Sequence, residues 1–133
     1  MNKVMTYFLF TNERAEEAIN MYTSLFDNSK IESLTYHDEG SASGTPGKVL
    51  NCVFTLKGVP FMAMDSFGHS HSFTPSISLY INCDSEAEVD KAFAALSSEG
   101  QVLMELGEYP FAKKFAWVQD KFGLSWQLVF SGK

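Results

Sequence analysis

The hydrophobic patterning of this chain occurs twice. Ala15, Ala18, Ile19 and Tyr22 have the spacing of an apolar helical stripe, and a shift of 74 positions (89 − 15) lays them on Val89, Ala92, Phe93 and Leu96. A shift of 65 (123 − 58) lays the turn Lys57-Gly58-Val59 and the strand after it on Phe122-Gly123-Leu124 and the last strand. The match is of pattern, not of identity. Each copy is too small to bury both faces of a sheet, so helices are expected on one face, with the other curling around a shared cleft. The expected class is α+β: two βαβββ modules, 1–66 and 73–133, forming a cupped mixed sheet with helices on the outer face. With 133 residues, 1–133 is expected to be one domain.

The elements follow from local signals. Residues 3–10 are rich in β-formers and end at Thr11-Asn12, where the period changes and Asn12 is placed to cap a helix with an acidic first turn. Asp27-Asn28-Ser29 stops that helix and Ile31 to His37 reads as a strand. Asp38 to Gly47 is a Gly/Ser/Pro-rich loop that could serve as a lid. Val49–Leu56 and Val59–Asp65 form a hairpin around Lys57-Gly58. In the second copy, Ser76 to Asn82 alternates, with Ile77, Leu79 and Ile81 expected on the core face and Ser76, Ser78, Tyr80 and Asn82 on a polar one. Ser85 and Glu88 have capping-box spacing before a helix that stops near Gly100. Apolar runs at 101–106 and 115–118, a turn at Asp120–Gly123 and a strand Leu124–Phe130 complete the unit.

Charge and cysteine usage exclude several partners. Ten Lys plus Arg against sixteen Asp plus Glu leave a net charge of −6, which repels phosphate backbones, so no nucleic acid is expected. The apolar stretch Val4–Phe10 is too short for a signal peptide or a membrane span, and no membrane association is expected. Cys52 and Cys83, the only two cysteines, have no metal-site spacing and are expected to be buried free thiols in a cytoplasmic protein.

Four segments carry a resemblance: AEEAINMYTSLF (15–26), PGKVLNCVFTLKGVPFMAMD (46–65), FTPSISLYINCDSEAEVDKAF (73–93) and FAWVQDKFGLSWQLVF (115–130). Together they resemble the PhnB-like proteins of the vicinal oxygen chelate superfamily, also called the glyoxalase/bleomycin-resistance/dioxygenase superfamily. The resemblance covers almost the whole chain, and Asp-Lys-Phe-Gly-x-Ser-Trp-Gln is its most specific piece. It implies paired βαβββ modules and commonly a homodimer. In the superfamily's metalloenzymes the first and last strand of each module supply His and Glu ligands; carried over, those positions fall on Tyr7, Met62, Ser78 and Gln127. An amide, two hydroxyls and a thioether supply no negative charge, so no metal cofactor is expected. The expected function is metal-free binding, or sequestering, of an unknown small molecule, with Tyr7, Met62, Ser78, Tyr80 and Gln127 lining the site. The alternative is a metal-dependent lyase, isomerase or dioxygenase with an atypical site.

Other residues are also candidates. His69 and His71 form a His-x-His pair that lacks a third ligand nearby in sequence, and both are expected to be exposed loop residues. His37, beside Asp38 and Glu39, is expected to be a strand-end surface histidine, with a general base as the rival reading. Lys113-Lys114-Phe115-Ala116-Trp117 could receive an anionic or aromatic ligand, or could be a solvated strand start. Met62, Met64 and Met104 add soft apolar surface to either core or cleft. Some relatives carry a ubiquinone-pathway methyltransferase label. The doubly wound fold of common methyltransferases needs a glycine-rich turn after the first strand, and here that turn is Thr11-Asn12-Glu13-Arg14.

Overall fold

A computed structural model describes residues 3–40, 45–66 and 68–132. The chain divides into two compact units, Met1–Ser72 and Phe73–Lys133. The first contains β1 (Thr6–Phe10), α1 (Ala15–Leu25), β2 (Lys30–Tyr36), β3 (Val49–Leu56) and β4 (Val59–Asp65), in the sheet order β1-β4-β3-β2. The second contains β5 (Ser78–Asn82), α2 (Glu86–Ser97), β6 (Gln101–Tyr109), β7 (Ala112–Gln119) and β8 (Ser125–Phe130), in the order β5-β8-β7-β6. In both, the first and last strands run parallel and the other pairs antiparallel, so the pattern repeat is a repeat of topology.

Each helix covers one face of its own sheet. In the first unit Ala15, Ala18, Ile19, Tyr22 and Leu25 are buried, as are Phe8, Phe10, Cys52, Phe54 and Ala63 of the strands. Phe61 stacks on Phe8 and Phe54 at centroid distances of 5.8 and 5.6 Å in that layer. In the second unit Val89, Ala92 and Leu96 of α2 are buried, and α2 packs on β7 and β8, whose Ala116, Val118, Trp126 and Leu128 are fully buried. Successive strand residues point to opposite faces, so this parity leaves Tyr7, Asn51, Val53 and Met62 on the helix-free face of one sheet. Ser78, Tyr80, Trp117, Ser125 and Gln127 take that face of the other.

The two helix starts are built differently. Ser85 Oγ accepts the Glu88 N–H at 3.1 Å, and Glu88 Oε1 accepts the Asp84 N–H at 2.6 Å, as the capping-box spacing predicts. Asn12 does not cap α1. Glu13 takes a left-handed φ of 61°, which swings the chain so that the helix begins only at Ala15. Asn12 Oδ1 then accepts the Arg14 N–H, at 3.3 Å, and no helical N–H among the described residues. The first helical N–H, from Ala15, is taken by Asp65 Oδ1 at the far end of β4 (2.9 Å), and Asp65 Oδ2 accepts the Val49 N–H at 2.9 Å. One buried carboxylate thereby joins α1, β3 and β4.

Other differences also have local causes. β1 begins at Thr6, three residues after the predicted start, where its pairing with Phe61 begins. β5 begins at Ser78 because its parallel ladder starts there, opposite Ser125; Ile77, expected in the core, precedes it and is 76 % exposed. The two apolar runs after α2 form one long hairpin, Gln101–Tyr109 against Ala112–Gln119, with register shifts in β6. His37 is buried, because its backbone N–H donates to Lys48 O and its carbonyl accepts the Gly47 N–H, closing the chain over it. The hairpin at Lys57-Gly58 is as predicted, with both residues at positive φ (48° and 83°), as a type I′ turn requires. Ser41–Gly44, the middle of the expected lid, lie outside the described residues. Among the described residues no helix is long and apolar enough to cross a membrane.

Candidate functional site

The strand registers organise the predicted site residues. On the helix-free face of the first sheet Tyr7 stands opposite Met62 across the parallel β1–β4 pair. In the second sheet the residue opposite Gln127 is Tyr80, and Ser78 lies opposite Ser125. Met62 and Gln127 are related by the 65-position shift (127 − 62), so Tyr7·Met62 and Tyr80·Gln127 are equivalent rows, each with a tyrosine on its first strand. By register the second-sheet equivalent of Tyr7 is therefore Tyr80, and not Ser78, the first-strand position implied by the resemblance.

Their hydrogen bonding differs. The Tyr7 hydroxyl donates to Asn51 Oδ1 at 2.7 Å, and partial burial pushes its pKa above 10.0, keeping it a neutral phenol. Ser78 Oγ and Ser125 Oγ are 2.6 Å apart, and Ser125 Oγ also accepts the indole N–H of Trp117 at 2.8 Å. That three-member network engages both serine hydroxyls, leaves one serine O–H over, and fixes the indole. Trp117 lies opposite Gln127 across the antiparallel β7–β8 pair. Tyr80, Gln127 and Trp117 therefore form one row over three adjacent strands, ring, amide, ring. Tyr80 is 53 % exposed, and among the described residues neither its hydroxyl nor the half-buried Gln127 amide has a hydrogen-bond partner.

As a metal-ligand set Tyr7, Met62, Ser78 and Gln127 do not fit a catalytic transition-metal ion. The phenol is held neutral, the serine is engaged by Ser125, and the thioether and amide carry no charge. On the first sheet β1, β4 and β3 present the uncharged Tyr7, Leu9, Met62, Met64, Asn51 and Val53 on this face, and Lys30 of the outer strand β2 stands there opposite Thr55. Of the two lysines considered as ligand contacts, Lys114 reaches Asp90 at 2.8 Å and Lys113 reaches Glu86 at 3.6 Å, so both pair with carboxylates of α2. Trp117 remains on the other face, where Met104 and Trp117 pack against the buried cluster Ala112, Phe115 and Val129.

His69 and His71 are exposed, with ring centroids 6.0 Å apart, and among the described residues no further Cys, His, Asp or Glu completes a metal site around them. His69 Nδ1 is hydrogen-bonded to Ser66 Oγ beside a polar cavity of ≈ 170 Å³ near the start of α1. No acid among the described residues orients the other ring nitrogen, so the pair lacks the third member of a nucleophilic triad. Cys52 is buried, and desolvation pushes its thiol pKa from 9.0 to about 11, which makes it a poor nucleophile.

The specific ending DKFGLSWQ turns out to be mostly scaffold. Asp120 Oδ1 accepts the backbone N–H groups of Phe122 (2.8 Å) and Leu124 (3.0 Å), and Oδ2 accepts the indole N–H of the buried Trp126 at 2.9 Å. The turn closes through Gly123 at φ 102°. Only Gln127 of this motif presents a free polar group to the helix-free face. Sequence reasoning missed the anchoring roles of Asp120, Asp65, Ser125 and Asn51; an Asp three residues before a turn glycine was the one visible signal.

A family model described as 3-demethylubiquinone-9 3-methyltransferase matches residues 2–129. No curated protein matches the sequence. Among solved structures, a PhnB protein from Bacillus cereus is 48 % identical, with 97 % of this chain and 99 % of that one covered and a TM-score of 0.91. Protein PA1353 from Pseudomonas aeruginosa is 23 % identical over 98 % of both chains, with a TM-score of 0.84. A glyoxalase-related enzyme from Fulvimarina pelagi, 15 % identical over 98 % of this chain and 88 % of that one, shares the fold at a TM-score of 0.59. On the matched length and the identity to the Bacillus protein, this chain belongs to the PhnB-like family that carries the 3-demethylubiquinone-9 3-methyltransferase description, on a glyoxalase-type fold.

Proposed function

We propose that this protein binds an uncharged small organic molecule on the helix-free faces of its sheets, without a metal ion. The observation that carries the proposal is the row Tyr80–Gln127–Trp117. It combines two aromatic rings and, between them, an amide with no partner among the described residues. A mostly apolar surface with a few unmet polar groups is what a small-molecule site requires. Tyr7, Met62 and Ser78 belong to the same proposal, Tyr7 and Met62 as the equivalent row and Ser78 as support for the Trp117 indole through Ser125.

The methyl transfer named in the family description finds no support in the residues at hand. The turn after β1 has no glycine to let a cofactor approach, and each sheet contains one parallel pair where a doubly wound fold has a run of them. The test is a thermal-shift screen of wild type against neutral and charged compound sets, repeated on Tyr80→Ala and Gln127→Ala. Neutral hits whose stabilisation disappears in both variants support the proposal. A screen whose hits are all charged, or are unaffected by either substitution, defeats it. The resemblance to PhnB-like proteins also favours a homodimer, which light scattering at a single chain mass would refute.

A further inference from the structure

The hydrogen bonds that the second sheet leaves unmade point to the kind of ligand. On its helix-free face the serines and the indole engage one another, Ser78 with Ser125 and Ser125 with the Trp117 N–H, with one serine O–H left over. Two polar groups in the same row remain unused among the described residues, the Gln127 carboxamide and the Tyr80 hydroxyl. A primary amide offers one acceptor and two donors side by side. Half-buried in a row of uncharged side chains, an unmet amide favours a partner that returns both a donor and an acceptor.

The flanking rings add a shape requirement. Tyr80 and Trp117 sit one strand to either side of Gln127. Two inter-strand spacings of about 4.8 Å put their stems roughly 10 Å apart. Two stacking contacts of about 3.5 Å need roughly 7 Å, so rings leaning inward close on one planar molecule. The indole is held in place by Ser125 and needs little ordering, while the more exposed Tyr80 is the freer of the two rings. Along β7 the paired residues toward Gln119 and Phe115 are uncharged as well, and Lys114 is turned to Asp90. An ionised ligand would lose its hydration there with no counter-charge to replace it.

We infer that Gln127 reads the edge of a planar, uncharged heteroaromatic ligand bearing an adjacent N–H and C=O, a lactam-type edge, stacked between Tyr80 and Trp117. This rests on the small-molecule reading above and narrows it. Gln127 would pair with the lactam through two parallel hydrogen bonds, its carbonyl accepting the ring N–H and its amino group donating to the ring C=O.

Calorimetric titration with three probes of one shape tests this: 2-quinolone, which has the lactam edge; 2-methoxyquinoline, which lacks the N–H; and quinoline-2-carboxylate, which is an anion. The expected result is binding of 2-quinolone about tenfold or more tighter than of 2-methoxyquinoline, the value of one or two net hydrogen bonds, with the carboxylate weakest. Gln127→Leu is expected to abolish the preference and leave the residual affinity of both neutral probes similar. The Leu is close to Gln in volume on a half-buried position, and unchanged circular dichroism would show that the fold survives. Equal affinity for the two neutral probes in wild type, or a preference that persists in Gln127→Leu, overturns the edge assignment while leaving the small-molecule reading standing. Absence of binding by all three overturns the assignment outright, and carboxylate as the tightest probe overturns both readings.

Discussion

Replacing Asp120 by Ala removes the acceptor for three donors at once: the backbone N–H groups of Phe122 and Leu124 and the indole N–H of Trp126, all at 2.8–3.0 Å in buried surroundings. A hydrogen bond to a charged group is worth about 1.5–3 kcal/mol net. Three bonds from one carboxylate do not add fully, and losses above about 4–5 kcal/mol are rare for one substitution, so about 4 kcal/mol is expected. An unfolding entropy of about 2.1 cal/mol/K per residue gives about 0.28 kcal/mol/K for this chain, hence a Tm lower by about 14 °C. Asp120→Asn keeps an oxygen for both backbone donors but sets its amino group against the Trp126 N–H, so about 1–2 kcal/mol and roughly 4–7 °C are expected. Differential scanning calorimetry of wild type and both variants gives the comparison. A Tm drop below about 3 °C for Asp120→Ala would refute the claim that this carboxylate, and with it the most specific sequence motif, organises the end of the chain.

Asp65→Ala is expected to cost about 2–4 kcal/mol in urea denaturation, because it orphans the Ala15 and Val49 N–H groups at the start of α1; a loss under 0.5 kcal/mol, the scatter of neutral surface changes, would contradict that role. The Cys52 thiol is pushed up to about 11 in the folded state, so its contribution is fully present below pH 9.0 and is lost as pH rises through about 11. Stability measured by urea should fall by up to roughly 2–3 kcal/mol over that window, and less steeply in Cys52→Ala; equal slopes would dismiss the desolvation account. Because Tyr80 and Gln127 are opposite one another, Tyr80→His with Gln127→Glu places an imidazole and a carboxylate on neighbouring strands, and calorimetry should detect a modest gain in Zn²⁺ or Ni²⁺ affinity over wild type. A double variant that folds and binds no better would show that the two side chains do not share a face.

Periodicity carried most of the fold. The helical stripes of Ala15–Tyr22 and Val89–Leu96, the Lys57-Gly58 and Gly123 turns and the Ser85–Glu88 box are all local signals, and each element they predict is present. Errors arose where a partner distant in sequence decided the outcome. Asp65, fifty residues away, took the place of Asn12 at the start of α1, and the absence of a ladder partner left Ile77 outside β5. The site was legible as a set of residues but not as an arrangement. Alternation put Ser78, Tyr80 and Gln127 on one face, while register, which alternation leaves open by steps of two, decided that Tyr80 and not Ser78 stands beside Gln127. The engagement of Ser78 by Ser125 and of both lysines by α2 depends on side-chain reach across strands and layers, which no spacing in the sequence encodes.

On the proposed reading these faces bind a neutral ligand with a row of uncharged groups and no metal, and elemental analysis of protein purified from its own host without chelators checks this. Only traces of transition metal, unchanged between wild type and Gln127→Leu, are expected. A transition-metal ion present in stoichiometric amount and lost on substitution of Tyr7 or Gln127 would contradict it, and would return these positions to a catalytic metal centre.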